Sequence, residues 1–299
     1  MSRVYYGGQA VMEGVMMRGQ KTLVTAVRHP KGQVITDTQR LSPLYSGPAR
    51  RMPFVRGVIV MIESMVLGIK SLLYSANISL EEEGEKVSGG LVWLMLIVAL
   101  GLMVILFYIV PLLLTRLLNI ESSILFNIVD GLIRVTIFVI YLRLMGLMRD
   151  LKRVFAYHGA EHKVVNAYEA GVPMETDAVR RFSTAHVRCG TSFLFAVVMI
   201  SILVFALVGI RSTWLMVLSR IVLIPVIAAV SYEIIYFAGR HSDHIFARIL
   251  SAPGLWLQSL TTREPDDGQI EVALVALKGV IAAEQPDGLT AASAPPGTP

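Results

Sequence analysis

Leu91-Val-Trp-Leu-Met-Leu-Ile-Val-Ala-Leu-Gly-Leu-Met-Val-Ile-Leu-Phe-Tyr-Ile-Val-Pro-Leu-Leu-Leu-Thr115 runs without a single charged residue. About 20 apolar residues in helical form cross the ~30 Å hydrocarbon core of a bilayer, so this run predicts a transmembrane helix. Three more stretches read the same way: about Ser122 to Met148, Thr191 to Ile210 and Thr213 to Phe237. The connections at 116–121 and 211–212 are short, which makes each pair of spans a tight hairpin. The whole composition leans the same way. Of 299 residues, 54% are hydrophobic and 16% charged, against roughly a quarter charged in a soluble domain.

Charge sets the orientation. The long connection 149–190 carries Arg149, Lys152, Arg153, Lys163, Arg180, Arg181 and Arg188, the N-terminal region is also basic, and Arg240, Arg248 and Arg263 follow the last span. The two short loops hold only Arg116 and Arg211. Segments rich in Lys and Arg stay in the cytoplasm, so both termini and 149–190 are expected there. Topology thus accounts for the net charge of +5, and nucleic acid is not an expected partner. Membrane lipids are, together with a membrane-protein partner or a second copy of the chain. The first residues hold no apolar core of signal-peptide length, so insertion is expected to rely on the internal spans. With Cys189 the only cysteine, an intrachain disulfide is excluded.

The expected fold is mainly α: a polytopic membrane protein of four transmembrane helices in two hairpins, with an interfacial amphipathic helix and a small N-terminal β element. Residues 1–53 form the cytoplasmic β-rich segment. Within it Thr22–Arg28 and Gln33–Thr38 flank His29-Pro-Lys-Gly32, a hairpin signature. Residues 54–90 hold an apolar helix punctuated at seven-residue spacing by Arg56, Glu63 and Lys70, which suits a helix lying at the membrane interface better than a fifth span. The first hairpin occupies 91–148, a cytoplasmic helix 149–190, and the second hairpin 191–237. A cytoplasmic helical segment covers 238–283, its last helix starting at Pro265-Asp-Asp and ending near Ala283, and 284–299 is a disordered tail rich in Pro, Ala and Gly.

Chemistry concentrates in His158-Gly-Ala-Glu161-His162. Histidines at i and i+4 share one helix face with an acid at i+3. In this inverted H-x-x-E-H arrangement two imidazoles hold a divalent metal, zinc for instance, and Glu161 serves as general base. His186 and Cys189 stand just before the third span, so the hairpin topology returns them to the same membrane face as His158. Both are candidate ligands, as is Glu233 near the cytoplasmic end of span four. The plainer alternatives are histidines bonded to lipid phosphates or backbone carbonyls, and a buried thiol. Inside span two, Asn127, Asp130 and Arg134 lie at i, i+3 and i+7 on one face. Intramembrane charge faces the bundle or a watery path, so these residues either orient helix packing or line a route for a substrate. Arg220, in the outer half of span four, can snorkel outward. The glycine-punctuated stretch Tyr6-Gly-Gly-Gln-Ala-Val-Met-Glu-Gly-Val-Met-Met-Arg-Gly19 carries Gln9, Glu13 and Arg18. It reads as tight turns or close backbone packing, with a loop closing over a site as the alternative.

That stretch, with Tyr157-His-Gly-Ala-Glu-His-Lys163, His186-Val-Arg-Cys-Gly-Thr191, Pro253-Gly-Leu-Trp-Leu-Gln258 and Thr261-Thr-Arg-Glu-Pro265, resembles the YqhQ-like family of bacterial membrane proteins. The match runs from residue 5 to about 280 with the motifs in order. The resemblance implies a place in the bacterial cytoplasmic membrane and, in general terms, a metal-dependent enzyme, but no reaction. His241 and His244 lie outside these motifs. Three functions follow as expectations: a metal-dependent hydrolase at the cytoplasmic membrane face, a non-catalytic scaffold or assembly factor binding anionic lipid or a protein partner, and a small transporter using Asp130 and Arg134.

Overall fold

The computed structural model describes residues 6–81, 89–208, 213–241 and 244–284. The expected loop at 211–212, the side chain of Arg220 and the tail beyond 284 lie outside the described residues. The chain opens with four strands: β1 (Gly7–Val11), β2 (Gly14–Arg18), β3 (Thr22–Arg28) and β4 (Val34–Arg40). They form an antiparallel sheet in the order β1-β2-β3-β4. The β3–β4 turn at His29–Gly32 is the one its Pro-Lys-Gly punctuation predicts, with Gly32 at φ 90°. The glycine-punctuated stretch is itself a hairpin, paired from Gly7 with Arg18 to Val11 with Gly14.

Side chains alternate across a strand, and both faces of this sheet are covered. Val15, Met17, Val24 and Ala26 pack with Tyr157, Ala160 and Val164 of α6 and with Ile270, Ala273 and Leu277 of α11. Met16, Leu23 and Val27 turn the other way, toward Leu67 and Ile78 of α2. The sheet with its covering helices is thus an ordinary soluble core.

The helices are α1 (Pro43–Ser46), α2 (Val55–Ser79), α3 (Gly89–Val104), α4 (Val110–Leu117), α5 (Ser123–Met145), α6 (Arg149–Ala170), α7 (Thr176–Val179), α8 (Gly190–Val208), α9 (Thr213–Arg240), α10 (Ile245–Thr261) and α11 (Asp267–Glu284). A π-helical turn at Ile105–Ile109 joins α3 to α4. It sits just before Pro111, whose ring would otherwise clash with the carbonyl one turn back.

Among the described residues, four helices are long and apolar enough to cross a membrane: Val55–Ser79, Gly90–Leu117, Ser123–Met145 and Val222–Arg240. The number agrees with the sequence reading, but the membership differs. α2 joins the set, and the apolar run of α8, Gly190–Phe205, is shorter. The charges that argued against α2 are answered in the fold: Glu63 pairs with Arg18 and Arg50, and Arg56 pairs with Glu233 of α9. In the helical bundle α4 packs on α5, α8 on both α5 and α9, and α2 on α9. Exposed apolar side chains cover the outside of α3, including Trp93, Ile97 and Leu100, as lipid contact requires.

Candidate metal centre

α6 begins three residues after α5 ends and carries His158 and His162 on one face. It stops at Gly171, whose φ of 74° closes the helix in the left-handed conformation that glycine tolerates. The chain then runs back across this face before α8 starts at Gly190. The return places Cys189 beside His158: Nε2 of His158 stands 3.3 Å from the sulfur. The two imidazole centroids are 4.4 Å apart. One ligand atom from each of His158, His162 and Cys189 lies within 4.8 Å of the others, close enough for one ion to meet all three.

The outer nitrogens are fixed by backbone. Nδ1 of His158 donates to the carbonyl of Thr261 at 2.9 Å, and Nδ1 of His162 donates to the carbonyl of Thr184 at 2.6 Å. A carbonyl only accepts, so both rings carry a proton on Nδ1, which leaves Nε2 as the atom a metal would take. Metal-ligating histidines are held this way. The Thr191 backbone N–H donates to the Cys189 sulfur at 3.3 Å, at the start of α8. His162 is 1% exposed and Cys189 6%, so an ion here would be screened from bulk water. The donor set of two nitrogens and one sulfur suits zinc and leaves a fourth position for water or substrate.

Glu161 is buried, with Oε2 3.4 Å from Nε2 of His162, so its carboxylate borders the same point. The other sequence candidates fall out differently. His186 comes near, its ring 5.8 Å from that of His162, but it does not share the convergence of the three. Its Nδ1 faces the Arg188 amide, and its buried Nε2 points toward Glu169 at 3.6 Å. Burial pushes its pKa below the ordinary imidazole value, with the Glu161 carboxylate pulling weakly the other way, so the ring stays neutral at pH 7. Glu233 is held by Arg56 and the Phe54 amide on α2 and stands outside the cluster.

The N-terminal residues do meet α6. Glu13 accepts from Arg153 at 2.6 and 2.5 Å and from the Tyr157 hydroxyl at 3.3 Å, while Gly8 packs against the Glu161 side chain. Gln9 lies against Gly68 of α2, and Arg18 reaches Glu63, Gly19 and Tyr45. Asn127, Asp130 and Arg134 are buried in the bundle, with Nη2 of Arg134 2.7 Å from Oδ2 of Asp130 and its guanidinium 5.1 Å from the Tyr108 ring centre.

Sequence reasoning missed Gln258, which is fully buried. Its carboxamide accepts from the His186 amide and donates to the His186 carbonyl and to Ser192, clamping the returning loop. Its place at the end of the Pro253–Gln258 motif was the available signal.

With this geometry in view the comparisons are plain. The family described as "Protein of unknown function (DUF1385)" matches residues 52–283. A curated relative, "Uncharacterized protein YqhQ" of Bacillus subtilis (strain 168), is 36% identical over 301 residues, covering 93% of each chain. The chain belongs to this YqhQ-like family. No solved structure matches it. The family model covers the apolar helices and α6 and begins after the four strands.

Proposed function

We propose that this YqhQ-like protein is a membrane-embedded, metal-dependent hydrolase working at the cytoplasmic face of the bacterial inner membrane. The observation that carries the reading is the pair of backbone carbonyls, Thr261 and Thr184, that hold His158 and His162 through Nδ1 while a ligand atom of each ring lies within 4.8 Å of the other and of Cys189. A divalent ion held there would lower the pKa of a bound water to about 7. Glu161 is placed to take the proton of that water, and the buried setting strengthens its field.

The membrane arrangement is part of the proposal. α3–α4 with α5, and α8 with α9, act as two hairpins with the termini in the cytoplasm, for which the basic-residue asymmetry argues. α2 lies at the interface. Support for this comes from its course: Gly57 meets Ala229 and Tyr232 of α9, whereas Ser71 and Ser75 further along bond Thr25 and the Met12 amide of the soluble sheet. The buried Asp130–Arg134 pair, joined at 2.7 Å with the Tyr108 ring against the guanidinium, supports a packing role over a transport route.

The test is metal analysis of detergent-purified protein, with cobalt substitution as a second readout. About one equivalent of ion is expected per chain, with His158→Ala, His162→Ala and Cys189→Ser each losing it. Cysteine ligation should appear as a thiolate charge-transfer band in the cobalt form. Glu161→Gln should keep the ion. Wild-type protein that binds no divalent ion from metal-supplemented medium would end this reading.

A further inference from the structure

Beside the cluster lies a cleft of about 290 Å³ walled by β1, β2, α2, α9 and the turn at Cys189. Its charges are unbalanced. Arg18, Arg50 and Arg188 line it against one carboxylate, Glu63. Glu63 is shared, Oε1 with Arg18 and Oε2 with Arg50. Arg188 is held by Glu169. The second carboxylate near Arg18, Glu284, is engaged by the Lys21 and Thr22 amides. Arg18 also donates to the Gly19 and Tyr45 carbonyls and feels the Glu284 charge, whereas Arg50 is paired with Glu63, a carboxylate it shares with Arg18; the two arginine side chains are 21% and 24% exposed. Burial, then the neighbouring Arg18, lowers the Arg50 pKa to about 10, a cost that an incoming anion would offset.

The rest of the wall is apolar and aromatic. Val60, Leu67, Phe193 and Ile235 line the cleft together with Tyr232 and Tyr236, and it abuts α2, whose Ile62 and Met65 are exposed. A site with two guanidiniums at one end and a greasy exit between two apolar helices matches a molecule with a phosphate at one end and a hydrocarbon chain at the other. Guanidinium forks fit phosphate oxygens, two bonds at a time.

We propose that the cleft binds the phosphate of a membrane-resident phosphorylated amphiphile, with Arg18 and Arg50 on the headgroup and the chain leaving between α2 and α9. This names the substrate class for the hydrolase reading and rests on that reading for the reaction. The binding stands on the arginines alone. Cys189 belongs to both the cluster and the cleft wall, so a headgroup seated in the cleft would lie next to Glu161 and the two imidazoles.

The experiment is calorimetric titration of the detergent-solubilised full chain with dihexanoyl phosphatidic acid, dihexanoyl phosphatidylcholine and inorganic phosphate. Phosphatidic acid should bind saturably and at least about tenfold more tightly than either of the others, the size expected for charge-assisted bonds plus chain burial. Arg50→Gln should weaken it about tenfold. Ser64→Trp, on the exposed wall of α2, should block the cleft without touching the ion pairs. Equal affinity for phosphatidylcholine would show that the phosphate is not read, and equal affinity for inorganic phosphate would show that the chain is not. Unchanged binding in both variants would remove the ligand from the cleft. Each of these outcomes overturns the proposal. His158→Ala should lose metal yet keep phosphatidic acid binding, which separates this inference from the hydrolase reading. Loss of binding in that variant would place the headgroup on the metal and overturn the arginine assignment.

Discussion

The α-carbon of Gly159 faces the carbonyl oxygen of Arg263 with no room for a methyl group between them. The contact explains why glycine follows His158 in the helix. It lets the 261–263 segment approach until the Arg263 amide donates to the Phe155 carbonyl at 2.9 Å and the Thr261 carbonyl accepts from His158. Gly159→Ala must push that segment outward. The expected result is a loss of about 1–3 kcal/mol, typical of overpacking, together with reduced metal content. Unchanged melting and full metal occupancy would show that the carbonyl does not set the His158 ring.

Glu13 sits at φ 50° in the β1–β2 turn, a conformation that asparagine tolerates better than glutamate. Its carboxylate compensates by binding Arg153 and Tyr157. Burial, aided by Glu13, keeps the Tyr157 phenol protonated and donating. Glu13→Asn should therefore lower stability by about 0.5–1 kcal/mol despite the easier backbone. A higher melting temperature in the variant would mean that backbone strain outweighs the ties to α6.

Asp130 and Arg134 are both buried, with side chains 4% and 8% exposed. Removing one partner leaves an uncompensated charge, expected to cost ~3–5 kcal/mol. Asp130→Asn should lower the detergent melting temperature more than the double change Asp130→Asn, Arg134→Gln. Equal melting of the single and double variants would put the pair in contact with water.

Glu121 lies in the exposed connection between α4 and α5, and Lys31 in the exposed turn between β3 and β4. An impermeant maleimide should label Glu121→Cys in intact cells, and Lys31→Cys only after the membrane is opened. The reverse pattern would invert the topology.

Much of this architecture was legible in local sequence, because local rules govern it. The α6 boundary follows from Gly171, the β3–β4 turn from His29-Pro-Lys-Gly32, and the apolar helices from hydropathy. The β1–β2 hairpin was obscured because Gly7, Gly8 and Gly14 supply no side-chain alternation to read. Long-range pairing was invisible. Glu233 looked like a ligand from its place near the end of span four, but Arg56, 177 positions earlier, takes it. Glu63 looked like one charge of an interfacial stripe, but it pairs with two arginines, Arg18 at the end of β2 and Arg50 ahead of α2. Of the three clustered side chains, His158 and His162 were brought together by helix spacing. The choice of Cys189 over His186 depended on where a returning loop stops, which Gln258 decides.

The covering of β3 by α11 has a consequence for how the chain is made. Val24, Ala26, Ile270 and Leu277 share one core, and the Glu284 carboxylate closes on the Lys21 and Thr22 amides. These strands, already packed on α2 and α6, thus complete their shelter only when α11 follows. At roughly 5–20 residues per second, the sheet waits on the order of tens of seconds while every membrane segment is threaded into the bilayer. Contacts so distant in sequence also form slowly. Chaperone demand should therefore fall on the nascent strands, and a ribosome stalled before Asp267 would leave a sheet without the helix that completes its core.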